Sequence, residues 1–245
     1  MQVNEVIRQS PVENASSTGS PNGAAIAVAL DGPAAAGKTV VGRLLARKLG
    51  CRFLDTGVMY RAITWAALEA GVDPKDAAGL QRLVQETPIE LVFNPEGDAR
   101  VLVGGKDATP HLWDARVGQN VSLVSQAAGL REVLVAQQRR LAQDGGIIMA
   151  GRDIGTVVLP HATAKVFLTA SPQERARRRH AEMEARGDPA SYEEVLAEVQ
   201  RRDKMDSERK VSPLRPAPDA QVVVTDGMSI EQVASFLLAL VMRRR

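Results

Sequence analysis

Cysteine is almost absent from this chain of 245 residues; Cys51 stands alone. A single cysteine excludes an intramolecular disulfide and any cysteine-based metal site, and it is compatible with a reducing cytoplasm. Histidine is scarce as well. His111, His161 and His180 are the only three, and they are scattered rather than gathered at a motif, which leaves no well-placed general base. No long hydrophobic run exists: the longest, Val233–Met242, is too short to span a bilayer. Net charge is nearly absent, at +2, so nothing global demands a nucleic-acid partner. Arginines nevertheless cluster at Arg175–Arg179 and Arg243–Arg245. No internal repeat is visible, and residues 1–24 lack the basic start and apolar run of a secretory signal. That segment is rich in Asn, Ser, Gly and Pro, and the expectation is a disordered extension.

What is present suffices for one sizeable core. A chain with 44% hydrophobic residues fits one α/β domain over 25–245, with an insertion, better than two independent domains. The organising stretch is Ile26–Leu45. Ile26–Leu30 is a short apolar run suited to a strand buried on both faces. Gly32, Pro33, Ala34, Ala35, Ala36, Gly37, Lys38 and Thr39 fit G-x-x-x-x-G-K-[ST], the P-loop pattern. Glycines let backbone N–H groups turn in around a polyphosphate, and the next helix offers its unpaired N–H groups to the same anion. Lys38 reaches for the β- and γ-phosphates, and the Thr39 hydroxyl suits Mg²⁺. The competing reading is a chance match in an Ala/Gly-rich chain; the strand before and the helix after weigh against it.

Further strands are expected at Cys51–Leu54, Ile147–Ala150, Lys165–Thr169 and Gln221–Thr225, each followed by helical spacing. Five short apolar strands alternating with helices predict a parallel sheet covered on both faces. Between about residues 73 and 120 the pattern breaks. Ile89–Phe93 and Arg100–Val103 flank Asn94-Pro95-Glu96-Gly97-Asp98, a hairpin signal foreign to a βαβ series, so an inserted subdomain is expected there. Arg61 sits one turn into a helix after the second strand, close to the edge where such sheets bind ligands. Arg152-Asp153 beside glycines is either a site or an ion pair stabilising a turn. Ser171 and Glu174, and again Ser191 and Glu194, carry capping-box spacing. The arginine run 175–179 is either a solvated face or a mobile lid. Arg202, Asp206 and Arg209 fall at i, i+4 and i+7, on one helix face.

Taken together, the motifs resemble those of the bacterial cytidylate (CMP) kinases. The segments are DGPAAAGKT at Asp31–Thr39, LDTGVMYRA at Leu54–Ala62, NVSLVS with LREVLVAQQR within Asn120–Arg139, GRDIGTVV at Gly151–Val158, FLTASPQERARRR at Phe167–Arg179 and RRDKMDSERKVSPL at Arg201–Leu214. The resemblance covers about Ile26 to Met242. It implies a three-layer P-loop fold with a nucleotide-binding insert at about 75–125 and a lid at about 172–190. It also implies phosphoryl transfer from ATP, with Mg²⁺, to CMP or dCMP; with the composition above, the expectation is a cytoplasmic monomer without nucleic-acid or membrane partners. Lys38 and the loop from Gly32 to Val40 would hold ATP, with Arg178 in the lid and Thr39 at the metal. Arg61, Arg152 and Arg209 would clamp the acceptor phosphate; Ser122, Arg131 and Asp153 would read the base; Arg202 and Asp206 would hold the ribose end. Lys38, Arg152, Asp153 and Arg209 would be the catalytic set.

The chain departs from that pattern at Ala34 and Ala35, where Ser or Gly is common, and in Lys38-Thr39-Val40, where Lys-Ser-Thr or Lys-Gly-Thr is commoner. A serine at 34 donates to the acceptor phosphate; alanine does not. Ala150 stands where many relatives carry Asp or Glu, so any metal-shell role of that carboxylate falls to water or Asp153. Three other readings compete: a UMP or AMP kinase, a GTP-binding switch and an inactive nucleotide-binding module. The switch usually carries N-K-x-D, which does not occur here.

Overall fold

The computed structural model describes residues 26–93, 99–187 and 190–244. The expected N-terminal extension, the hairpin turn at 94–98 and the Asp188-Pro189 helix break lie outside the described residues. Five strands form the main sheet: β1 (Ala27–Asp31), β2 (Arg52–Asp55), β6 (Ile147–Gly151), β7 (Ala164–Thr169) and β8 (Gln221–Val224). Their spatial order is β2-β6-β1-β7-β8, and every neighbouring pair is parallel. Register sets Asp31 beside Gly151 and Asp55 beside Ala150. The loops leaving β1, β2 and β6 therefore emerge side by side at one edge, where ligands bind in open α/β sheets.

Both faces of the sheet are covered, and this explains why its strands read as continuous apolar runs rather than alternating ones. On one face Val28, Leu30, Ile148, Val166 and Leu168 pack on Val41 and Leu45 of α1 (Lys38–Leu49) and on Val233, Leu237 and Val241 of α8 (Ile230–Arg244). On the other, Ala29, Leu54, Ile147 and Met149 meet Met59 and Ile63 of α2 (Gly57–Glu69) and Leu130 and Leu134 of α5 (Ala128–Gln143). Each fully buried Leu, Ile or Met contributes about 1.5–3 kcal/mol of burial. The result is a three-layer α/β fold.

A second, antiparallel sheet joins β3 (Ile89–Phe93), β4 (Ala99–Val103) and β5 (Lys106–Asp107) beside α3 (Ala77–Glu86). The pattern gave two of its strands. The third is two residues long and has no hydrophobic period. Its signal is Gly104-Gly105, with φ of 56° and 76°, the backbone a two-residue I′ hairpin requires.

Two sequence expectations need correction, and one element was not anticipated. Arg209 is not on the helix face with Arg202 and Asp206: α7 (Tyr192–Glu208) ends before it, and Arg209 is extended at φ −62°, ψ 140°. Ser171 caps α6 (Pro172–Arg186) without a capping box. Its side chain accepts from Glu174 N, but Asp226 takes the Ser171 N–H, and Glu174 has turned to Arg177 and Arg178. The full box forms at Ser191–Glu194, which opens α7. Finally, Ile154–Val158 is a π-helical turn, with Leu159 N donating to Ile154 O at 2.7 Å.

Candidate active site

The P-loop begins where β1 ends. Gly32 has φ of 149°, and a Cβ there would stand 1.9 Å from Leu168 O, so only glycine lets the chain pass β7. Ala35 holds φ of 57°, left-handed backbone that costs a residue with a Cβ about 1–2 kcal/mol. Lys38 is buried, and its Nζ donates to Pro33 O at 2.7 Å within the same loop. Burial holds its ammonium well below the ordinary range, and Arg152 adds to the depression. Thr39 Oγ1 donates to Asp55 Oδ2 at 2.6 Å, and Asp55 Oδ1 accepts from Gly57 N at 3.0 Å. Asp31 accepts from Ile154 N and Gly155 N, both at 2.7 Å, and so caps the π-turn that follows Arg152-Asp153. Ala36 is buried beneath the loop and Val40 is exposed on the first turn of α1.

The arginine run divides by role. Arg175 is buried and donates to Ala170 O, to Ala34 O in the P-loop and, through both terminal nitrogens, to Asp203 of α7. Arg177 is a solvated residue paired with Glu174, whose carboxyl falls to about 2 chiefly through that bond. Arg178 donates to Thr225 and lies beside Gly37, its Nη1 3.9 Å from where a Cβ would sit. Arg179 pairs with Glu182.

Beside the P-loop a cleft brings together Arg61, Ser122, Arg131, Arg152, Asp153, Arg202, Asp206 and Arg209. Arg61 comes from α2 after β2, Ser122 from α4 (Ala115–Val124), Arg131 from α5, Arg152 and Asp153 from the edge of β6, and the last three from α7 and its end. Five arginines thus face two carboxylates. Arg131 pairs with Asp153 in a buried contact, Arg209 Nη2 stands 3.7 Å from Asp153 Oδ1, and Arg152 Nε donates to Asp206 Oδ2 at 2.7 Å. Arg61 donates to Leu112 O at 3.0 Å and lies 4.4 Å over the Trp113 ring. Arg209 also donates to the carbonyl of Ser212, a residue with φ of 52°.

The charge excess has a visible cost. Burial lowers Arg61 to about 9, with repulsion from Arg202 adding to it; burial also lowers Arg202 and Arg209. Burial alone would raise Asp206, but Arg152 keeps it below the usual carboxylate range. Arg131 Nε, Arg202 Nε and Arg209 Nη2 are buried without a hydrogen-bond partner. Buried cationic donors left unpaired are unfavourable unless an anion completes them.

Sequence reasoning did not single out Thr56, Tyr60 and Ser125, which also line the cleft, or the pairing of Asp55 with Thr39. The first two, with Asp55, lie inside the quoted LDTGVMYRA segment, so proximity to Arg61 was the available signal. Tyr60 is buried and pushed up to about 12 mainly by that burial, with the Arg131 guanidinium 5.4 Å from its ring centre. The described residues contain no group of three or more His, Cys, Asp or Glu able to hold a metal by themselves.

The family model described as cytidylate kinase matches residues 28–243. The cytidylate kinase of Bacillus licheniformis is 47% identical over 216 residues, covering 88% of this chain and 96% of that protein. The cytidylate kinase of Geobacillus kaustophilus is 48% identical over 219 residues, with coverages of 89% and 97%. That of Mycobacterium avium is 50% identical over 220 residues, with coverages of 89% and 96%. A match over nearly the whole described chain, to proteins it spans almost end to end, makes this chain a member of the cytidylate kinase family.

Proposed function

We propose that the protein transfers the γ-phosphoryl group of ATP to CMP or dCMP, giving ADP and CDP or dCDP. One observation carries this reading: three buried guanidinium N–H groups without partners converge in an arginine-rich cleft next to a P-loop. Such a cleft suits a phosphate monoester, and the loop suits a polyphosphate.

An oxygen of the acceptor phosphate attacks the γ-phosphorus, and the bond from that phosphorus to the β–γ bridging oxygen breaks. The acceptor has a second pKa near 6 and is largely ionised at neutral pH, so no base is required. None of the three histidines lines the cleft. The work is alignment of two anions and neutralisation of their charge. Arg61, Arg152 and Arg209 hold the acceptor phosphate, while Arg202 and Asp206 fix its ribose end. Lys38 exchanges its bond to Pro33 O for phosphate oxygens. Arg178 flanks the loop at Gly37. The Thr39 hydroxyl is a hard oxygen donor that would suit Mg²⁺, which would supply charge neutralisation at the β- and γ-phosphates. The antiparallel sheet and its flanking helices, about 75–125, serve as the nucleotide insert, and the segment of about 172–190, which opens with α6, as the lid. The enzyme is read as a cytoplasmic monomer acting on free nucleotides, without nucleic-acid or membrane partners. Among the described residues no helix is long and apolar enough to cross a membrane.

Base choice tests this reading. Cytosine presents an amine where uracil presents a carbonyl oxygen. Asp153 accepts from the amine, and Ser122 and Arg131 complete the set. An unpaired polar group costs about 1–3 kcal/mol, so kcat/KM for CMP and dCMP exceeds that for UMP by at least about tenfold. Asp153→Ala lowers both the rate and the preference. Steady-state ADP formation with CMP, dCMP, UMP, AMP and no acceptor is the measurement. Equal values for CMP and UMP refute the cytosine assignment, and acceptor-independent ADP formation favours the switch reading.

A further inference from the structure

The hydroxyl of the P-loop threonine, Thr39, donates to Asp55 Oδ2. We propose that Asp55 is the carboxylate of the cation site. It accepts the Thr39 hydroxyl hydrogen bond, leaving that oxygen's lone pairs for the ion, and it supplies negative charge that no other residue around the loop is free to give. This rests on the ATP–Mg²⁺ reading above.

The other nearby carboxylates are committed elsewhere. Asp31 spends both oxygens on Ile154 N and Gly155 N. Asp153 is held by Arg131 and Arg209, Asp203 by Arg175, and Asp206 by Arg152. Asp55 alone reaches Thr39, at 2.6 Å, and its other oxygen is fixed by Gly57 N at 3.0 Å. Both oxygens are therefore oriented before any nucleotide arrives.

Strand register gives an independent reason. Asp55 pairs with Ala150, and Phe53 with Ile148. Phe53, Ile148 and Ala150 all belong to the cluster that packs on Val41 and Leu45 of α1. Strand side chains alternate with period two, so Asp55 shares that face, beneath the N-terminus of α1 where Thr39 sits. Ala150 is fully buried and brings only a methyl group. Its partner one strand away, about 4.8 Å off, brings the carboxylate. Asp153, the residue sequence reasoning offered for this role, faces the arginine cleft instead. A hydroxyl that ligates a cation must direct its proton elsewhere, and a carboxylate acceptor both receives it and raises the oxygen's donor strength. Asp55 is thus a positioning residue acting through Thr39.

Asp55→Asn keeps one acceptor oxygen, for Gly57 N, puts an amide N–H where Thr39 donated, and removes the charge. Calorimetry measures ATP binding to the wild-type protein and to this variant, once with excess Mg²⁺ and once with a chelator. In the wild type Mg²⁺ tightens ATP binding. In Asp55→Asn the chelator value stays within about twofold of wild type, while the gain from Mg²⁺ shrinks by about tenfold or more. An undiminished Mg²⁺ gain overturns the proposal and leaves the kinase reading intact. A wild-type protein that binds no ATP under either condition overturns the kinase reading, and this inference with it. Asp55→Ser, which also keeps an acceptor without charge, serves the same measurement should the amide variant fail to fold.

Discussion

Asp31 shows what a single residue costs and contributes here. It is 3% exposed, and its carboxyl is raised to about 6, chiefly by burial, although two backbone N–H groups pull it down. The folded protein holds this proton more tightly than the unfolded chain, where an aspartate titrates near 3.8. Its stabilising effect is therefore complete below about pH 4 and is lost as pH rises through about 6. A shift of about two units corresponds to about 3 kcal/mol. Urea unfolding of wild type and Asp31→Asn at pH 4 and pH 7 measures this directly. The stability of wild type relative to the variant falls by up to about 3 kcal/mol between the two; a difference independent of pH contradicts the assignment. Neither this residue's environment nor its partners were legible in the sequence. What it contacts follows from the register of β1 on β6 and from the π-turn after Asp153, and both are long-range outcomes. The same holds for Asp55 with Thr39. By contrast Lys38 was legible from the P-loop pattern, Arg61 from its place one turn into the helix after a strand, and Arg152 and Asp153 from following an apolar strand run directly, because the sheet edge collects such positions.

At the scale of elements, the five parallel strands and their helices could be read because a sheet covered on both faces writes itself as unbroken apolar runs. Ends were less legible. Arg209 falls outside α7 because its chain turns extended, so that it reaches Asp153 and Ser212 O rather than continuing the helical face. The lid reading of the arginine run missed a division of labour that depends on which side of α6 meets α7. Arg175 is on the inner side, where it links three elements: Ala170 O after β7, Ala34 O of the P-loop and Asp203 of α7. Since α7 also carries Arg202 and Asp206, this one side chain ties the donor loop to the acceptor cleft. Arg175→Met leaves Asp203 without its cation and Ala34 O without its donor. Breaking a buried ion pair costs about 3–5 kcal/mol; Asp203 keeps 27% side-chain exposure, so the lower end applies. At about 2–4 °C per kcal/mol for a domain of this size, the melting temperature falls by about 6–12 °C, and KM for ATP rises. A melting curve unchanged within a degree contradicts the link.

Across the whole molecule, the cleft is assembled from both regions of the chain: α2 and α4 on one side, β6 and α7 on the other. Trp113 stands where those parts meet. Its ring is half exposed, with Arg61 of α2 at 4.4 Å and Arg186 at the end of α6 at 5.5 Å from its centre. Trp65, the other tryptophan, is instead stacked on His111 at 5.2 Å. A phosphate that draws Arg61 into the cleft, or a shift of α6, alters the cationic field and the hydration of the Trp113 indole. The protein therefore carries an intrinsic optical reporter. Titrating CMP at constant pH changes the tryptophan emission along a saturable curve, and Trp113→Phe removes that change while Trp65 still emits. A persistent change in Trp113→Phe would assign the signal to Trp65 instead. Occupancy of the acceptor cleft can then be followed in real time without a dye, a label or a coupled reaction.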